Sequence, residues 1–296
     1  MAQCVSVVAN RYVDSLREKM CRELQLLERD GIRVKLEENP AGTFTILAGQ
    51  DANAGKFAAG GQVPSYFRQV LVDILSDFIL SHWEQLLLKE IIRENYYYFD
   101  DADRDVIYWN VLSYIGGSQP DSNHLSFYQV ARKSHIIRKL NEFLCCNNKI
   151  MIEGFIKFRL KDYIGDLQGV VDRAVDDFLL EREYQEFIQL LKYFVDIQEP
   201  RIDVVNVILK PGGTFKLFDE KNQPISSEFL EGFVVELIDS EINYEDLLIS
   251  ALITMAPKKI IFHFEQLNEM ETMVNTIKAV FTGRVSHCKG CTLCRS

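Results

Sequence analysis

No run of this sequence is apolar for long enough to cross a bilayer. The longest, LLISALITMA (247–256), falls well short of the roughly 20 residues a spanning helix needs. A basic surplus is missing too. Lys and Arg number 33 against 43 Asp and Glu, for a net charge of −10. A dedicated nucleic-acid binder needs cations to displace phosphate counterions, so that class is disfavoured. The balance reverses only from residue 257 onward, where six Lys/Arg face three Asp/Glu and leave −13 for everything before them. The opening MAQCVSVVANRYVDSLREK lacks the basic region and long apolar core of an export signal, so a cytoplasmic location is expected. Signatures of catalysis are also lacking: no G-x-S-x-G, no H-E-x-x-H and no Gly-rich dinucleotide turn occurs. The nearest approach to a P-loop fails. Gly49 lies one residue too far from Gly55-Lys56, and Phe57 stands where the metal-binding hydroxyl belongs. There is no repeat at solenoid periods.

What remains has the make-up of an ordinary globular protein, 47% hydrophobic and 26% charged over 296 residues, with room for two domains. The expected fold class is α+β. Residues 1–48 form a small α/β unit: CVSVVA (4–9) is a strand, and Leu16, Met20 and Leu24 follow at helical spacing. Two further strands, IRVKLEE (32–38) and TFTIL (43–47), complete a β-α-β-β order. Residues 49–64 are rich in Gly, Ala and small polar side chains, as a linker or mobile loop is. From 65 to 200 the pattern is mainly helical. Leu71, Leu75, Phe78, His82 and Leu86 share one stripe, and Leu180, Tyr184, Phe187, Leu191 and Phe194 a later one expected to pack into a core. ENYYYFDD (94–101), acidic at its flanks, suits a helix–helix junction better than base stacking, which calls for a basic groove.

Residues 201–296 return to α/β. Two strands flank the turn Pro211-Gly212-Gly213, and the helix NYEDLLISALITMA stops before Pro257. KKIIFHF, a helix from Asn268 to Gly283 and RVSH then make a βαβ crossover, expected to be parallel. SSEFLEGFVVELIDS suits helix or strand. The first and last units each expose apolar strand faces, and one shared sheet would cover both.

The sharpest chemical signal is Cys288, Cys291 and Cys294, a C-x-x-C-x-x-C run just past the carboxyl end of the last strand, where α/β proteins often place their sites. Thiolates three residues apart converge on one soft ion or on one face of a cluster, and zinc and an iron–sulfur cluster are both served by this spacing. Seven cysteines in a reducing compartment read as thiols or ligands before disulfides. A metal or cluster ranks first, an unliganded tail second, thiol redox chemistry third. The fourth ligand comes from His287, the nearest candidate, from Cys145 or Cys146, from a neighbouring chain or from an exchangeable molecule. Cys4 and Cys21 fall on apolar faces and read as core. Cys145 and Cys146 read as small, half-buried residues, and His82 as a core histidine. His263, between Phe262 and Phe264, reads as structural, although a strand end can aim it at a site.

EGFIKFRLKDY (153–163), EREYQEFIQLLKYFVDIQEP (181–200), NYEDLLISALITMAPKKIIFH (243–263) and the terminal CKGCTLC together resemble the YtxC-like sporulation proteins of endospore-forming bacteria. The resemblance runs from about Tyr66 to Cys294. It implies a bacterial cytosolic protein linked to spore formation, and it brings no reaction and no catalytic residues. The expected function is therefore action through contacts with other proteins, without catalytic turnover and with a metal-binding cysteine tail. The alternative is a metal-, iron–sulfur- or thiol-dependent enzyme centred on the same three cysteines. The oligomeric state is left open.

Overall fold

A computed structural model describes residues 3–29, 33–39, 43–49, 65–116, 122–209, 215–225, 244–263, 271–291 and 294. It is an α+β protein. The chain divides into two compact units, residues 1–178 and 179–296. Residues 50–64, the bulk of the expected linker, and the segment SSEFLEGFVVELIDS lie outside the described residues.

In the N-terminal unit β1 (Gln3–Val8), β2 (Arg33–Asn39) and β3 (Thr43–Gly49) follow the expected order around α1 (Val13–Arg29). The sheet order is β2-β3-β1-β4, antiparallel except for the last pair. Its fourth strand, β4 (Lys149–Met151), comes from far down the chain and runs parallel to β1. Strand parity explains the buried face. Val5 pairs with Ile46, and Val7 pairs with both Phe44 and Ile150, so these five side chains line one side and all are buried. The described strands form two separate four-stranded sheets, so the shared sheet that would cover both units is not the arrangement they take. The first sheet draws its extra strand from Lys149–Met151, a three-residue segment inside a helical stretch and too short to show a period.

Helices α2 (Ser65–Phe78) and α3 (Glu84–Asn95) are one amphipathic rod interrupted by a π-helical turn, Ile79–Trp83. A five-residue turn inserts one extra residue and advances the buried face by one position. The expected stripe holds through Leu71, Leu75 and Phe78. Beyond the turn it passes to Trp83, Leu87, Leu88 and Ile91, leaving His82 only half-buried against Phe78 and Tyr12. The aromatic run Tyr96–Phe99 forms the corner before α4 (Asp101–Gly116), whose N-terminus is capped by Asp100 Oδ1 accepting from Asp103 N–H at 2.8 Å. The unit continues with α5 (Ser122–Cys146), α6 (Ile152–Arg159) and α7 (Lys161–Ile197), and the boundary between the two units falls within α7. Cys21 and the Cys145–Cys146 pair are exposed, contrary to their expected core and half-buried placements. On α1 the inward stripe is Leu16, Met20 and Leu24, and Cys21 is a residue past it, about 100° round the helix.

The C-terminal unit has the sheet order β6-β5-β7-β8. Strands β5 (Val204–Leu209) and β6 (Phe215–Phe218) are the expected antiparallel hairpin. After α8 (Tyr244–Met255), β7 (Lys259–His263) runs parallel to β5. Then α9 (Glu271–Val280) crosses over to β8 (Val285–His287), which runs parallel to β7, as the sequence predicts. The core joins Val205 and Val207, Ile260 and Phe262, Leu248 and Leu252, and Val274 and Ile277. From α7 it takes Ile188 and Val195, with Leu191 of the expected stripe packed against them, while the other four members of that stripe, Leu180, Tyr184, Phe187 and Phe194, are exposed. The helix is apolar on more than one face. The face one residue further round, where branched side chains recur, is the one the sheet covers.

Candidate metal centre

Strand parity also builds the site. Phe262 pairs with His287, so their side chains share a face; the rings stack with centroids 6.2 Å apart, and Phe262 is core while His287 is exposed. The next residue on each strand turns to the opposite face. Cys288 N–H donates to Phe262 O at 2.9 Å and extends the β7–β8 ladder by one bond, which sets Cys288 beside His263. Gly290, at φ +109°, then reverses the chain in a conformation that a side chain would strain. A further turn, closed by Cys294 N–H to Cys291 O at 3.2 Å, returns the last thiol.

The outcome is four convergent groups: His263, Cys288, Cys291 and Cys294, with one ligand atom from each lying within 4.8 Å of all the others. Cys291 Sγ lies 3.3 Å and Cys294 Sγ 3.5 Å from His263 Nδ1, and the two sulfurs are 3.9 Å apart. The fourth member is thus His263 and not His287, which parity sends to the other face of the sheet. Cys145 and Cys146 end α5 in the N-terminal unit and are not in this group. Among the described residues this is the one group of three or more His, Cys, Asp or Glu with metal-binding spacing.

His263 is buried, and burial lowers its pKa, so the imidazole is neutral with a lone pair to give. Its Nε2 meets Asn206 Oδ1 at 3.1 Å. At Cys288 a hydrogen bond from the Gly290 backbone favours the thiolate, but burial and the neighbouring Cys291 and Cys294 outweigh it and push the pKa up. Reactive cysteines show the reverse, a thiol drawn down toward neutrality.

Sequence reasoning ranked His263 as structural before ligand, because F-H-F in a strand is also a core pattern. The signal was its place as the last residue of β7, level with the first cysteine once β7 and β8 pair in parallel. Asn206 was missed altogether, although a carboxamide inside V-V-N-V-I-L is conspicuous.

A profile of the YtxC-like family matches residues 69–286. The curated "Uncharacterized protein YtxC" of Bacillus subtilis (strain 168) is 29% identical over 221 residues, covering 72% of this chain and 74% of the relative. No solved structure matches.

Proposed function

The chain belongs to the YtxC-like family, and on that premise we propose a cytoplasmic, sporulation-associated protein that works through contacts with other proteins. In this reading the C-terminal unit is closed by one metal ion on Cys288, Cys291, Cys294 and His263. The observation that carries the metal reading is the spacing of the ligand atoms. A zinc ion with sulfur at about 2.3 Å and nitrogen at about 2.0 Å in a tetrahedron holds its sulfurs about 3.8 Å apart and each sulfur about 3.5 Å from the nitrogen. The separations of 3.9, 3.3 and 3.5 Å among Cys291, Cys294 and His263 fit that shape, and Cys288 offers its ligand atom within 4.8 Å of the other three. A [4Fe–4S] cluster gives each of its cysteines a separate iron, at wider spacing, and four protein ligands around one ion leave no open position for substrate. Large apolar side chains left in solvent, such as Tyr97, Tyr98 and Trp109, support the protein-contact reading.

Anaerobically purified protein is expected to be colourless and to carry about one zinc per chain. Bound zinc should slow alkylation of Cys288, Cys291 and Cys294, while the exposed Cys21, Cys145 and Cys146 react freely and serve as internal controls. Zinc affinity should fall as pH falls, because protons compete for the thiolates. Apo protein under zinc-supplemented conditions, with all of these thiols alkylated at one rate, sinks the metal reading, and broad visible absorption replaces it with a cluster. For the cellular role, a deletion strain complemented with the triple Cys→Ser variant should sporulate poorly only as far as the variant fails to accumulate. Complete loss of sporulation at normal protein levels would favour metal-dependent chemistry instead.

A further inference from the structure

Asn206 lies in β5, one of the two interior strands of the C-terminal sheet, 7% exposed, between two valines that are fully buried. A carboxamide there costs stability unless both of its ends are hydrogen-bonded. Both are, and the partners fix its direction. Asp219 O can only accept, so the amide Nδ2–H faces it, at 2.9 Å. That turns Oδ1, also an acceptor only, to His263 Nε2 at 3.1 Å. The proton on the imidazole must then sit on Nε2, which leaves the lone pair on Nδ1, the atom 3.3 and 3.5 Å from Cys291 and Cys294 Sγ.

We infer that Asn206 is the positioning residue of the metal site: it selects the His263 tautomer that coordinates through Nδ1 and locks the ring in the plane that meets the three sulfurs. The inference rests on the metal reading above. Ligating histidines regularly give their second ring N–H to an oxygen acceptor, and removing that acceptor weakens binding by about 10–100-fold. Here the acceptor comes from β5 and is itself held by the backbone of the turn after β6, at Asp219 O. One ion thereby ties together β5, β7 and the turns after β6 and β8.

The test is zinc affinity, measured by competition with a chromophoric chelator, for the full-length protein and for Asn206→Leu and Asn206→Asp, together with ring 1H–15N spectra of His263. Asn206→Leu should bind zinc about 10–100-fold more weakly and populate the Nδ1-protonated ring in the metal-free state. Asn206→Asp keeps an acceptor for Nε2–H and should stay within a few-fold of the parent affinity. A merely structural Asn206 would lower metal-free stability in both variants without separating their affinities. If the parent protein binds no zinc, the metal reading fails and this inference with it. If the parent binds zinc but Asn206→Leu matches it, or the bound ring carries its proton on Nδ1, only this inference falls. Should Asn206→Leu not fold, the ring spectrum of the zinc-loaded parent and the Asn206→Asp affinity still decide.

Discussion

Stripping the ion from zinc-loaded protein with a strong chelator is expected to cost the C-terminal unit about 4 kcal/mol when free zinc had stood a thousand-fold above Kd. Ligands that bind only the folded chain stabilise it by mass action, and the proposed ion would join the end of β7 to the turns that follow the three-residue β8. The unit will not unfold outright, as an isolated zinc finger does, because it has its own apolar core of α7, α8 and α9 side chains on the sheet. Urea unfolding followed by far-UV circular dichroism gives the energy. Hydrogen exchange over 258–263 and 284–291 gives the place, with protection lost there first. Cys291→Ser should reproduce the metal-free behaviour and no longer respond to zinc. Identical unfolding and exchange with and without bound zinc would show that the ion is a passenger.

Arg132→Met should destabilise the N-terminal unit by about 3–5 kcal/mol, because it leaves a carboxylate buried without its cation. Arg132 on α5 donates from Nη1 to Glu84 Oε2 at the start of α3, and its Nη2 donates to Ile115 O on α4 at 3.3 Å. The Tyr163 hydroxyl on α7 donates to the same Glu84 oxygen. Burial, with the Glu84 charge beside it, holds the Tyr163 phenol far above its ordinary pKa, so it stays a donor. All three side chains are buried. The triple variant Glu84→Leu, Arg132→Met, Tyr163→Phe should recover most of the loss, since an apolar replacement of a whole buried network is often neutral. Trp83, next to Glu84, reports the transition by fluorescence. A loss below 1 kcal/mol for Arg132→Met, or additive losses in the triple variant, would mean the network is wet and weak.

The parts of the fold that were legible in the sequence are those where one period dominates. Val5 and Val7 on β1, Leu16 and Met20 on α1, and the strand–helix–strand order from Lys259 to His287 each follow a single local rule. What escaped depended on choices made between distant segments. Strand β4 has only three residues, and its partner, β1, is more than a hundred positions away. The π turn at Ile79–Trp83 carries no composition signal, yet it rotates everything after it, bringing Trp83 and Glu84 inward. On α7 two apolar faces competed, and the sheet took the one with Ile188 and Val195. The three cysteines announced the site by spacing, but the fourth member depended on the pairing of β7 with β8, which puts His287 on the face of Phe262 and His263 on the face of Cys288.

The short outer strand of the C-terminal sheet has a bearing on solubility. β8 pairs over only three residues, and β7 behind it presents Ile260 and Phe262 within a run of otherwise matched amides and carbonyls. With the cysteine turn fastened to His263, β8 is pinned in place and β7 is an interior strand. Unfastened, so short a strand frays, and β7 becomes an edge whose open backbone groups will accept a strand from another molecule. Metal shortage would then register first as self-association that grows with protein concentration, before any helix of the protein had melted.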